Sequence, residues 1–156
     1  MRQQFINYLT KLKDPKVILI VGDVGYNFVE PFAKKFPNQF LNCGIMEPTM
    51  IGVAAGMAKD GWKPYVYTMT NFLGLKCYEQ IRNDICIPNL PVTLVGVSGG
   101  GNYKFLGYSH NLLFDDEDTR LLAPLPNMSL YTPDDEGLDG VMKQIRRANG
   151  PAYLKL

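Results

Sequence analysis

Two short runs, Val17-Ile18-Leu19-Ile20-Val21 and Pro91-Val92-Thr93-Leu94-Val95-Gly96-Val97, are almost unbroken in apolar and β-branched residues. A strand with one wet face alternates polar and apolar residues; a strand covered on both faces does not. Two such runs in one chain demand helical layers on both sides of a sheet. Shorter strand-like runs lie at 39–41, 63–67, 129–131 and 152–155. Helical patterns fall between them. Phe5, Ile6, Leu9 and Leu12 keep helical spacing, and further helices are predicted over 27–36, 48–59, 75–84 and 135–148. Pro31 sits in an early turn, where proline is tolerated, and Gly150-Pro151 stops the last helix. This alternation predicts an α/β fold: a mostly parallel sheet of about six strands with helices on both faces. The 156 residues carry no internal repeat, low-complexity tract or linker, so one domain spanning 1–156 is expected.

Composition narrows the function classes. With 46% hydrophobic and 20% charged residues the chain reads as globular. A net charge of +1 gives no electrostatic case for nucleic acid or membrane surfaces. The three cysteines, Cys43, Cys77 and Cys86, have no CxxC spacing, and there is a single histidine, so no zinc site is expected. The N-terminal residues lack the apolar core of a signal peptide, and no apolar run approaches membrane-spanning length. A cytoplasmic protein is the expectation.

Parallel sheets of this kind bind ligands beyond the carboxyl ends of their strands. Three segments follow strands in that way: Gly22-Asp23-Val24-Gly25, the run around Glu47, and Ser98-Gly99-Gly100-Gly101 leading to Gly107-Tyr108-Ser109-His110. Glu47 opens a small, apolar helix (Met50-Ile51-Gly52-Val53-Ala54-Ala55-Gly56-Met57-Ala58). Carboxylates are rarely buried without a partner, so the sequence predicts that Glu47 meets something the chain does not itself supply. A bare helix-dipole role would explain the acid but not the helix that follows. The triple glycine lacks the Gly-Lys-Ser/Thr ending of a P-loop, and a mobile loop explains it as well as a phosphate cradle does. Phe72 follows a strand; a ring there could stack on a planar heterocycle, but a core phenylalanine is the commoner reading. His110 is free to act as acid, base or oxyanion donor. Asp115, Asp116, Glu117 and Asp118 read as a solvated face, not a cation loop.

Taken in order, several stretches give a family resemblance: Gly22-Asp23-Val24, Phe36-Pro37-Asn38-Gln39-Phe40-Leu41-Asn42-Cys43-Gly44-Ile45-Met46-Glu47, Tyr78-Glu79-Gln80-Ile81-Arg82-Asn83-Asp84, Gly107-Tyr108-Ser109-His110, Leu125-Pro126-Asn127-Met128 and Gly150-Pro151-Ala152-Tyr153-Leu154. The chain resembles the pyrimidine-binding domain of transketolase-like thiamine diphosphate enzymes from about Gly22 to its end. The resemblance implies that Glu47 hydrogen-bonds N1′ of the cofactor's aminopyrimidine and favours the imino tautomer that deprotonates the thiazolium. It implies that Phe72 is the ring platform, although Phe72 lies one residue farther upstream of Tyr78 than the family spacing and Leu73 takes the expected place. Asp23 and Met69 would line the cofactor, and His110 would face the reacting carbon. The family's Gly-Asp-Gly motif, which holds the diphosphate through Mg2+, is absent from this chain. The resemblance therefore implies a heteromer, α2β2, in which a diphosphate-binding partner chain carries the Mg2+ ligands. The implied reaction is transfer of a two-carbon ketol or acyl unit from a sugar phosphate, ketose or 2-oxo acid. A two-chain 2-oxo acid decarboxylase and a non-catalytic assembly subunit are the alternatives.

Overall fold

The computed structural model describes residues 1–97, 100–134 and 136–156. Among the described residues the elements run α1 (Arg2–Leu12), β1 (Val17–Val21), α2 (Glu30–Lys35), β2 (Phe40–Asn42), α3 (Glu47–Lys59), β3 (Lys63–Met69), α4 (Thr70–Gly74), α5 (Tyr78–Gln80), β4 (Thr93–Val97), α6 (Glu117–Leu122), β5 (Ser129–Tyr131), α7 (Leu138–Ala148) and β6 (Ala152–Lys155). A π-helical turn, Ile81–Cys86, continues α5, and an irregular 3₁₀ stretch, Gly100–Ser109, follows β4. Of the triple glycine, Gly99 lies outside the described residues, as do Ser98 and Asp135, the predicted first residue of the last helix.

The six strands form one sheet in the order β2-β1-β3-β4-β6-β5, and every pairing is parallel. The alternation of strand and helix in the sequence thus becomes a fully parallel sheet with two cores. On one face, Val17, Leu19, Val21, Tyr65, Tyr67, Val95 and Leu154 pack against α1, α2 and α7. On the other, Ile18, Ile20, Val66, Leu94 and Tyr153 pack against α3, the π turn and α6. Neighbouring residues of one strand serve opposite cores, which is why β1 and β4 read as continuous apolar runs; both are buried throughout. Each fully buried Leu, Ile or Phe adds roughly 1.5–3 kcal/mol to this sandwich. Phe5 of α1 lies nearly parallel to Tyr67, centroids 6.1 Å apart. No helix among the described residues is long and apolar enough to cross a membrane.

Local chemistry moves two predicted helices. The helix predicted over 27–36 begins only at Glu30, because Gly25 (φ 89°) and Asn27 (φ 66°) both adopt left-handed backbone. A Cβ on Gly25 would also lie 2.9 Å from Val29 and 3.0 Å from Tyr67, so the turn after β1 needs glycine. The helix predicted over 75–84 instead starts only at Tyr78, as α5, and passes into the π turn at Ile81, while α4 ends before it at Gly74. Cys77 is wholly buried, and its thiol donates to the Phe72 carbonyl at 3.2 Å, drawing the chain inward between α4 and α5.

Candidate functional site

The strand order reverses direction between β1 and β3, and such a switch point opens a crevice at the carboxyl ends. Asp23 after β1 and Met69 at the end of β3 flank it, and both line a cleft of about 210 Å³ with Tyr26, Tyr67 and Tyr103. Met69 is buried; Asp23 is exposed, in left-handed backbone. Asn42, the last residue of β2, ties this loop to the next one. Its Oδ1 accepts from the Asp23 and Gly44 amides at 3.0 Å each. The chain is thereby fixed three residues before Glu47.

Glu47 is the first residue of α3 and is 2% exposed. The helix behind it is small enough to lie close on the sheet: Met50, Ile51, Ala54 and Ala58 are buried in the second core. The acid does have a partner within the chain, contrary to the expectation from sequence. Lys76 Nζ donates to Glu47 Oε2 at 2.7 Å, while among the described residues Oε1 accepts no hydrogen bond. Lys76 also lies over the Phe72 ring, 5.2 Å from its centroid.

Phe72 is part-exposed within α4, and its ring meets the His110 imidazole edge-on at 5.0 Å. Leu73, the residue that family spacing would put in the platform position, is wholly buried in the second core. His110 Nδ1 is 2.7 Å from Ser109 Oγ, and its ring is 6.4 Å from that of Tyr103. A row of groups therefore runs along the carboxyl edge: Glu47, Lys76, Phe72, His110, then Tyr103 and the cleft of Asp23 and Met69.

Two asparagines hold the histidine loop in place, and no local sequence pattern announces either. Asn71, 4% exposed, donates to the carbonyls of Asn111 at 2.6 Å and Tyr108 at 3.4 Å. Asn111 in turn donates to the Gly107 and Tyr103 carbonyls at 2.7 and 2.9 Å. Gly107 breaks the 3₁₀ stretch with φ 64°. His110 lines a cavity of about 680 Å³ with Asn71, Lys104, Asn111, Asp115 and Lys155.

The acidic run does not form a uniform solvated face. Asp116 pairs with Arg120 at the surface, but Asp118 is 1% exposed. Its carboxylate accepts from Tyr153 Oη at 2.5 Å and from Lys155 Nζ at 2.8 Å. These partners come from β6, more than thirty residues away, so no local pattern could reveal them. Burial, and after it the Asp118 charge, push the Tyr153 phenol far above its ordinary range. Burial and then the Glu47 charge push the Cys77 thiol up to about 12. Among the described residues no group of three or more His, Cys, Asp or Glu is set to hold a metal ion.

The carboxyl edge thus carries a buried acid, a part-exposed aromatic ring and an imidazole. Comparison with known proteins gives the family. A family model described as the transketolase pyrimidine binding domain matches residues 3–156. The chain is 34% identical over 145 residues to 1-deoxy-D-xylulose-5-phosphate synthase of Clostridium perfringens, which covers 91% of this chain and 22% of that protein. It is 33% identical over 137 residues to one of the subunits of an apulose-4-phosphate transketolase of Phocaeicola vulgatus, covering 86% of this chain and 43% of that one. A solved structure described as split gene transketolase, an inactive beta4 tetramer, superposes with a TM-score of 0.84 at 32% identity, over 99% of this chain and 50% of that one. The chain thus spans between a fifth and a half of the length of these relatives.

Proposed function

The chain belongs to the transketolase pyrimidine-binding domain family, and from that premise we propose that it is the pyrimidine-binding subunit of a split thiamine diphosphate-dependent transketolase. A diphosphate-binding partner chain completes the site and carries the Mg2+ ligands. The reaction is transfer of a two-carbon ketol unit from a ketose or sugar phosphate to an aldehyde.

The residues present fit the aminopyrimidine half of that cofactor. One observation carries the reading: a carboxylate only 2% exposed keeps one oxygen without a hydrogen bond among the described residues, and the lysine bound to its other oxygen lies over a part-exposed aromatic ring. Burying a charged acid is costly, and a free acceptor in such a place suits a ligand N–H. Bound there, thiamine diphosphate supplies the nucleophilic carbon and the electron sink for cleavage next to a carbonyl. The protein's own contribution is placement. Glu47 holds a proton at the ring nitrogen. Phe72 fixes the plane of the ring. His110, braced by Ser109 and by the Asn71–Asn111 clamp, is set to hold or move a proton at the substrate's oxygens. Exposed apolar side chains stand on the same edge, Ile45 (71%), Phe105 (81%) and Tyr108 (81%) among them, and they suit the face of a partner chain.

The test is reconstitution with a diphosphate-binding transketolase-like chain, thiamine diphosphate and Mg2+, followed by product analysis with ketose phosphates and an aldehyde. Glu47→Ala is expected to lower turnover by about 10²–10⁴-fold, the usual worth of a positioned proton-transfer group. Unchanged turnover in that variant would assign the chain a scaffolding role and end the proposal.

A further inference from the structure

The buried acid of this site is held by a residue with no task in the proposed chemistry. Lys76 lies in the short link between α4 and α5. Its ammonium donates to Oε2 of Glu47 at 2.7 Å and leaves Oε1 open among the described residues. The two partners differ sharply in exposure: 49% for the Lys76 side chain, 2% for that of Glu47. An ordinary surface pair contributes little because both members stay hydrated. Here one member is out of water, and a carboxylate without a counter-charge is costly in such a place. The link itself is anchored. Cys77, wholly buried, donates its thiol to the Phe72 carbonyl at 3.2 Å. One short segment therefore carries the ring, the ammonium and the anchor that fixes their separation.

We propose that Lys76 is the positioning residue of Glu47: it fastens one carboxylate oxygen so that the other is presented to a ring N–H of the ligand. The inference rests on the reading of Glu47 given above. A carboxylate free to turn about its terminal bond would present either oxygen at many angles. Tying one oxygen to a charged donor fixes the plane, and charge-assisted bonds of this length are the strong class. The ammonium also balances the charge of the buried acid. Its Nζ lies over the Phe72 ring, 5.2 Å from the centroid, where the face of the ring attracts a cation and steadies the ammonium.

The experiment measures affinity, not turnover. The complex reconstituted with a diphosphate-binding chain and Mg2+ is titrated calorimetrically with thiamine diphosphate and with an analogue carrying CH in place of N1′. Lys76→Met is expected to weaken thiamine diphosphate by about tenfold or more, the effect of leaving a buried carboxylate without its counter-charge. The same variant is expected to leave the analogue within about twofold, since the analogue offers Glu47 no N–H. Lys76→Arg, which keeps the charged donor, should restore thiamine diphosphate binding to within about threefold. Should Lys76→Met fail to assemble, Lys76→Gln makes the same comparison. Equal losses for both ligands would reduce Lys76 to a scaffold, and unchanged or tighter binding would make it a mere place-holder; either result overturns the inference. A failure of the Glu47 reading itself shows elsewhere, in the unsubstituted complex, as equal affinity for the two ligands.

Discussion

Gly96 is the position where a single added carbon should do the most damage. It lies in β4 opposite Lys155 of β6, and the Tyr153 ring, two residues back, leans across the space a side chain would fill. A Cβ on Gly96 would overlap the Tyr153 hydroxyl and lie 2.8 Å from ring atoms Cε2 and Cζ. Comfortable carbon–carbon contact is about 3.5–4.0 Å, so the ring must retreat by roughly 1 Å. It has nowhere to go, being 0% exposed, with its hydroxyl held by Asp118 at 2.5 Å. Overpacking of a filled core costs about 1–3 kcal/mol. Loosening a hydrogen bond to a charged, buried acceptor adds about 1.5–3 kcal/mol. The backbone entropy gained by replacing glycine returns about 0.4–1 kcal/mol. Gly96→Ala should therefore destabilise by about 2–5 kcal/mol, a large share of the roughly 5–15 kcal/mol typical of a whole domain. Denaturant unfolding followed by circular dichroism reads this directly. Tyr153→Phe removes the atom in the worst overlap, so the double variant should cost at least about 1 kcal/mol less than the two single costs combined. Strict additivity, or a Gly96→Ala effect under about 0.5 kcal/mol, would refute the account of a hydroxyl locked between strand and acid.

Three other outcomes can be measured. Phe72→Ala should weaken thiamine diphosphate binding to the reconstituted complex by about 1–2 kcal/mol, roughly five- to thirtyfold, whereas Leu73→Ala should act on unfolding stability, because Leu73 is core. Asp14 should make the fold acid-sensitive. Burial alone would raise its carboxyl, but the Lys16 amide, Lys63 and Arg146 outweigh it and hold it below 3.8. A folded-state value below the unfolded one means the contribution is full above 3.8 and is lost as pH falls through the folded value. Asp14→Asn should accordingly be less stable than the native chain at neutral pH, with the gap closing below pH 3.8, as urea midpoints across pH will report. Finally, burial pushes Cys86 up to about 11 and Cys77 up to about 12, with Cys43 raised less. Alkylation of the native protein at about pH 8 should be slow at Cys43 and negligible at the other two, while urea should expose all three to rapid labelling.

The layered fold is legible because burial on both faces leaves a periodicity that sequence cannot hide. Val17–Val21, Ser129–Tyr131 and Ala152–Lys155 fall at their predicted limits. What the pattern misses depends on contacts between distant residues. The helix expected over 75–84 starts late because a buried thiol, Cys77, prefers a carbonyl of the preceding element. Sequence alone leaves Glu47 without a partner in the chain, and Lys76 supplies one from twenty-nine residues away. A lone lysine between Leu75 and Cys77 is the available hint, since a cation in an apolar, helix-breaking link asks for an anion. Asp118 reads as one more surface acid until β6 brings Tyr153 and Lys155 against it. The gathering of Glu47, Phe72 and His110 on one edge follows from strand order alone; the distances between them do not.

A fully parallel sheet sends every strand toward the same rim. The scaffold and the chemistry are consequently separable. The two cores can stay constant while the connecting segments at that rim are lengthened, shortened or recoded, with no helix or strand repacked. Drift in what such a protein acts on then comes at little cost to its ability to fold, and a laboratory seeking altered selectivity should randomise 104–106 and 112–114 while leaving the strands, Gly107, His110 and Asn111 alone.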